Sequence, residues 1–157
     1  MLMNTYLGVK LIQAAPMRRG EYNTYRGWVV PADENPDDEG YLVEYLDGGK
    51  SNHPGHTGYI SWSPADVFHR AYRQTHGLSF GLAVEAMKEG QRVARAGWNG
   101  KGMYVAFVHR DSYDIMGGDT LGTLPLRDFL AMKTADDQIV PWVASQTDIL
   151  AEDWEVL

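Results

Sequence analysis

Three glycines, an indole, an amide and an ammonium group fall within one short stretch, Arg92-Val93-Ala94-Arg95-Ala96-Gly97-Trp98-Asn99-Gly100-Lys101-Gly102-Met103. Together these residue types suit a flat, charged small molecule. Gly97, Gly100 and Gly102 accept backbone angles closed to other residues and leave amide groups unshielded, Trp98 offers a stacking face, and Lys101 a positive charge. The competing reading is a tight hairpin whose tryptophan is simply core. Arg92 and Arg95 lie three apart, so in a strand they point to opposite faces and at most one serves a common pocket; Arg95 is nearer the bend.

A second group follows at Trp142, beside Pro141, and at Ser145-Gln146-Thr147-Asp148. Ser145 and Asp148 have the spacing of a capping box ahead of Ile149 and Leu150. Their hydroxyl and carboxylate, with Thr147, either turn toward a ligand at that helix start or only satisfy the chain's own amides. The pair His53 and His56 invites a zinc reading, but no further ligand cluster lies near them, so a polar hairpin insertion is the better account. The acidic run from Asp33 to Glu39 fits no calcium-loop spacing and reads as a solvated loop. No metal site or cofactor is expected.

These residues need elements to hold them. Tyr6 to Ile12 reads as a strand, Arg18 to Tyr25 as a short helix, and Tyr41–Tyr45 with Tyr59–Trp62 as paired strands. Ser63-Pro64-Ala65-Asp66 reads as a capped start of a helix running to about Tyr72, with Val67, Phe68 and Ala71 on the face that packs on a three-stranded sheet. A composition change near Gln74-Thr75-His76-Gly77 marks a boundary, giving units 1–75 and 76–157. The second unit starts with Ser79 as cap and Phe80, Ala83, Val84 and Met87 at helical spacing, ended by Gly90. Gln91–Arg95 and Met103–Val108 flank the bend as antiparallel strands. Asp111 to Pro125 reads as a long loop, Phe129–Lys133 and Ile139–Ala144 as a second hairpin, and Trp154 and Val156 as a return to the sheet with Trp154 in the core. The expected fold class is α+β: two small units, each an antiparallel sheet with short packed helices.

The 157 residues carry a net charge of −7, 44% hydrophobic residues and no cysteine. The charge disfavours duplex nucleic acid, no apolar run suggests a membrane span, and disulfide and thiolate chemistry are excluded. The first residues lack the basic and long apolar regions of a secretory signal, so a cytosolic setting is expected.

Taken together, Gly97-Trp98-Asn99-Gly100-Lys101-Gly102-Met103, Met132-Lys133-Thr134, Val140-Pro141-Trp142, Ser145-Gln146-Thr147-Asp148 and Asp153-Trp154 closely resemble the phage family of Thoeris anti-defence proteins of the second type, over about Leu78 to Leu157. The first half, chiefly Tyr41–Tyr45 and Gly58–Arg73, resembles a small phage domain of unknown role. The resemblance implies a compact α+β homotetramer that binds a cyclic ADP-ribose-type messenger near subunit contacts and holds it uncleaved, in the cytoplasm of the infected bacterial host. Cyclic oligonucleotides are a second ligand class that it implies.

In that reading Trp98 stacks on the ligand or packs in the core, and Asn99 bonds a base edge or supplies a turn, with Gly100 beside it. Lys101 meets phosphate or stays solvated, Met103 is pocket wall or core, and Arg95 adds a cation. Trp142, Ser145, Thr147 and Asp148 form the second contact group, the aspartate suiting ribose hydroxyls rather than phosphates. Two rivals stand beside a binding protein. A hydrolase of the messenger lacks an obvious nucleophile and base in the second half, and a structural or interaction protein of the phage would use the tyrosine-rich surface.

Overall fold

The structure, a computed structural model, describes residues 3–6, 8–98, 102–110 and 127–157. The chain divides into two compact units, Met1–Tyr72 and Arg73–Leu157. Both are antiparallel sheets with short helices, so the fold class is α+β.

In the first unit the order is β1 (Ile12–Pro16), α1 (Arg19–Arg26), β2 (Gly40–Tyr45), β3 (Tyr59–Pro64) and α2 (Ala65–Ala71), with sheet order β1-β2-β3. The first strand starts at Ile12 rather than Tyr6. Its partner β2 gives out at Tyr45, opposite Ile12, and the chain turns away through Gly48 at φ 92°, leaving residues before Ile12 no ladder to join. Leu42, Ile60 and Tyr22 form a small core, flanked by Met17 and Trp62, on the face that α1 covers. Residues of β2 alternate between faces, and Tyr41 stacks on Phe68 of α2 with ring centroids 4.0 Å apart.

Two expectations for α2 fail. Ser63 lies in β3 and Pro64 takes the cap position without a side-chain hydrogen bond, while Asp66 pairs with Arg70 at 3.1 Å instead of closing a capping box. Phe68 does pack on the sheet through Tyr41, but Val67 and Ala71 stay exposed and no residue of α2 is buried, so the three do not make a core face. A seven-residue helix at the end of a three-stranded sheet lacks a second layer to enclose it.

The second unit contains α3 (Phe80–Lys88), β4 (Val93–Arg95), β5 (Tyr104–Val108), β6 (Phe129–Lys133), β7 (Ile139–Pro141), α4 (Gln146–Ile149) and β8 (Trp154–Val156). The sheet order is β7-β6-β5-β4-β8. Ser79 starts α3, though its hydroxyl makes no cap bond, and Gly90 ends it at φ 83°, an angle that favours glycine. Pro141 sits in β7 at the sheet edge, where its missing amide proton disturbs no inner ladder. The core joins Ala83, Ala86 and Met87 of α3 to Val93, Val105 and Trp154 of the sheet. Val105 and Phe107 face this core, whereas Tyr104 on the opposite face carries the Arg92 guanidinium 5.0 Å from its ring centroid. Asp111 to Pro125 lies outside the described residues.

Candidate functional site

Trp154 is fully buried, and an indole of that size removes roughly 150–250 Å² from water. Leu78 on one side and β4 on the other pair with its backbone, and its Nε1 donates to the Asp148 carbonyl at 3.0 Å. Three aromatic rings pack on it. Trp98 meets it at 5.6 Å and 75°, Trp142 at 6.0 Å and 78°, and Phe80 at 5.6 Å and 45°. Trp98 and Trp142 are only half-buried, so part of each ring remains outside the core that Trp154 anchors.

Arg95 stands opposite Trp154 in the β4–β8 register, with its guanidinium carbon 5.7 Å from the indole centroid. It donates to the Thr147 carbonyl at 3.3 Å and to Asp148 Oδ1 at 3.0 Å, and makes a short ion pair with Asp153. The Asp153 hydrogen bond, foremost, holds the Arg95 pKa above the ordinary guanidinium range. Burial pushes the Asp148 carboxyl up, but hydrogen bonds from Ser145 and the Arg95 charge outweigh it and leave its pKa lowered.

The expected capping box is present. Asp148 Oδ2 accepts from the Ser145 amide at 3.0 Å and from its hydroxyl at 2.6 Å, while the Asp148 amide donates to Ser145 Oγ at 3.2 Å. Ser145 Oγ also meets Thr147 Oγ1 at 2.8 Å. The helix behind this box is a single turn, and its hydroxyls and carboxylate already satisfy one another. Asp148 therefore braces Arg95 and α4, and the helix start by itself offers little to a ligand.

The bend begins as a turn in which the Trp98 amide donates to the Arg95 carbonyl at 3.0 Å. Gly97 keeps ordinary backbone angles, contrary to the expectation from its type, whereas Gly102 has φ 63° and needs to be glycine. Asn99, Gly100 and Lys101 lie outside the described residues. Met103 is half-buried just before β5. Close to Gly102 lies the Lys133 ammonium, which is 3.8 Å from where a Cβ on that glycine would stand and is paired with Asp137 at 2.5 Å.

The structure thus brings Arg95, Trp98, Trp142, Ser145, Thr147 and Asp148 together around Trp154. Sequence reasoning missed Lys133, Asp153 and Phe80 as members of this neighbourhood. The clue for two of them was present, since Lys133 and Asp153 stand inside the short signatures Met132-Lys133-Thr134 and Asp153-Trp154. Only the β5–β6 register, which sets Lys133 opposite Tyr104, shows why the lysine reaches the bend.

In the first unit the two histidines are occupied. His56 Nδ1 lies 2.6 Å from Glu44 Oε2 and its Nε2 lies 3.0 Å from the Tyr25 hydroxyl, while His53 stacks on the Tyr25 ring at 4.3 Å. Among the described residues no group of three or more His, Cys, Asp or Glu side chains is arranged to hold a metal ion, and no helix is long and apolar enough to cross a membrane.

Comparison with known proteins covers the second unit. The profile of the Tad2-like family, described as the Thoeris anti-defense 2-like domain, matches residues 78–157. Thoeris anti-defense 2 of Bacillus phage SP01 is 39% identical over 84 residues, which span 51% of this chain and 94% of that relative. Through the unit built around Trp154 the chain belongs to the Thoeris anti-defense 2-like family, and its role is phage anti-defence.

Proposed function

We propose that the second unit binds a cyclic ADP-ribose-type immune messenger, of the glycocyclic ADP-ribose class, and sequesters it without cleaving it in the cytoplasm of the infected bacterium. The observation that carries this reading is the convergence of Trp98, Trp142 and Arg95 on the buried Trp154. A nucleotide-derived messenger presents a flat base, ribose hydroxyls and a pyrophosphate, which call for a stacking ring, polar edges and cations. Two half-buried indoles supply the first of these. The Lys133 ammonium, already paired with Asp137, lies beside Gly102 at the bend, and Asn99, Gly100 and Lys101 complete the family signature in the sequence there.

Binding is favoured over hydrolysis by the state of the charged groups. Proton transfer near neutral pH works best from a group whose pKa lies near the working pH. Arg95 and Asp148 are shifted the other way: Arg95 is held charged chiefly by Asp153 and then by Asp148, and Asp148, against the burial that pushes it up, by hydrogen bonds from Ser145 and then by Arg95. They fix the site rather than exchange protons.

Useful sequestration requires a dissociation constant below micromolar, more than about 8 kcal/mol, and that depends on excluding water around the stacked ring. A second copy of the chain supplies such a wall. Val143 (88% exposed) and Leu150 (78%) flank Trp142 and α4, an apolar surface suited to a symmetric contact, and we assign it to a homotetramer interface. Cyclic oligonucleotides fit the same stacking chemistry as a second ligand class.

The test is recovery. The protein is loaded with the messenger, freed of excess by gel filtration and heat-denatured, and the supernatant is analysed by chromatography and mass spectrometry. Intact messenger is the expected result, whereas hydrolysis products would make the protein an enzyme and no retained ligand would remove the binding role.

A further inference from the structure

In the first unit, Glu44 of β2, His56 of the connection from β2 to β3 and Tyr25 of α1 form a continuous hydrogen-bonded chain. Glu44 is its inner end, with a side chain only 11% exposed. Its Oε1 accepts from the Thr57 amide at 3.0 Å and the Gly58 amide at 2.8 Å, which leaves Oε2 to the His56 ring, 2.6 Å from Nδ1. The carboxyl is ionised across the neutral range, its pKa held down at about 2 chiefly by His56. An ionised carboxylate only accepts, so the proton of the neutral ring sits on Nδ1 and the second nitrogen is bare. That nitrogen, Nε2, lies 3.0 Å from the Tyr25 hydroxyl and accepts its hydrogen.

Tyr25 is the solvent end of the chain, 40% exposed. Its ring is fixed by His53, which stacks on it at 4.3 Å and is held in turn by the Gly55 amide, 3.1 Å from His53 Nδ1. Gly55 also leaves the hydroxyl approachable. A Cβ at that exposed glycine would stand 3.0 Å from Tyr25 Oη, so the space beside the hydroxyl that a side chain would fill is left clear. A tether between α1 and the connection needs the hydrogen bonds but no such approach. A hydroxyl, a base within hydrogen-bond reach and a carboxylate that orients the base are the parts of an activated nucleophile.

We propose that Tyr25 is a nucleophile that takes an acyl group from a small activated ester, with His56 as its base. Tyr25 Oη attacks the ester carbonyl carbon as its proton passes to His56 Nε2. The bond from that carbon to the leaving oxygen then breaks, the electron pair goes to the oxygen and His56 returns the proton to it, so the products are an acylated tyrosine and the free alcohol. Glu44 is a positioning residue that keeps the imidazole proof of orientation, its proton, on Nδ1 and off Nε2. The reaction uses no residue of the second unit and stands whether or not the messenger reading does.

The experiment treats the full-length protein with p-nitrophenyl acetate, follows p-nitrophenol release by absorbance, and locates acetyl groups by peptide mass spectrometry after early acid quenching. Tyr6 and Tyr59, 85% and 47% exposed, are comparisons within the same molecule. Tyr25, less exposed than either, reacts at least about tenfold faster, because a positioned base assists it alone. Tyr25→Phe, which keeps the ring and its His53 stack, loses that phase of release, and His56→Gln brings Tyr25 down to the rate of Tyr59. Long-range nitrogen NMR in mildly alkaline buffer shows the His56 proton on Nδ1 in the parent and shared between the two nitrogens in Glu44→Gln, a signature that bracing alone does not require. The proposal is overturned if Tyr25 reacts no faster than Tyr6 and Tyr59, if Tyr25→Phe releases p-nitrophenol as the parent does, or if the parent ring carries its proton on Nε2. Should His56→Gln fail to fold, the comparison of tyrosines within the parent and the nitrogen signals decide the matter.

Discussion

Trp98 and Trp154 are the same side chain under different constraints. Trp154 has no exposed surface and its Nε1 proton is satisfied within the unit, so its contribution is to the core; Trp98 touches it edge-on and keeps part of its surface outside. Base stacking on an aromatic side chain is worth about 1–3 kcal/mol. Trp98→Ala should accordingly weaken messenger binding by about tenfold or more while leaving the circular dichroism spectrum unchanged. Equal binding by the variant would move the site elsewhere. Asp148 carries a different load, closing the capping box and bracing Arg95. Losing a cap of this kind costs about 1–2 kcal/mol, so Asp148→Ala should lower the melting temperature of the second unit by several degrees, read by calorimetry. An unchanged transition would show the box to be decorative.

At the scale of elements, the long connection from β2 to β3 is held by the Glu44 carboxylate together with Ser51 and Asn52 of the connection itself. Glu44 accepts from the Thr57 amide at 3.0 Å and the Gly58 amide at 2.8 Å as well as facing His56, and Gly58 permits the approach because a Cβ there would collide with the Tyr45 carbonyl. The His56 hydrogen bond first, and then the Gly58 amide, hold the Glu44 pKa down at about 2. The folded value lies below the unfolded one, so this group stabilises the fold above the ordinary glutamate range. That contribution declines as pH falls through that range toward about 2. Glu44→Gln should therefore reduce stability near neutral pH and flatten its acid dependence over that window, measured by denaturant unfolding at a series of pH values; parallel curves for parent and variant would refute it. The edge strand β7 and the single turn α4 make a second case. Leu150→Glu places a charge on the exposed apolar surface assigned above to the proposed subunit contact, and the variant should scatter light as a smaller species than the parent. A variant that keeps the parent's mass would locate the subunit contact elsewhere.

The whole molecule consists of two units with separate cores, and the anti-defence resemblance stops at the second. The relative from Bacillus phage SP01 is almost entirely matched by 84 residues of this chain, so a protein of about that length carries the family's fold by itself. A fragment of residues 73–157 should fold and bind the messenger within about threefold of the full chain, by calorimetry. A much weaker fragment would show that the first unit completes the site.

The sequence by itself determined the α+β class, the bend flanked by β4 and β5, the capping box at Ser145 and Asp148, and the burial of Trp154. Each follows from local rules: alternation, glycine and proline punctuation, cap spacing, and the size of an indole. Tertiary structure decided the rest, because it depends on registers that join distant residues. The β4–β8 pairing sets Arg95 against Trp154 and turns Asp148 from a free carboxylate into a brace, and the β5–β6 pairing carries Lys133 to Gly102.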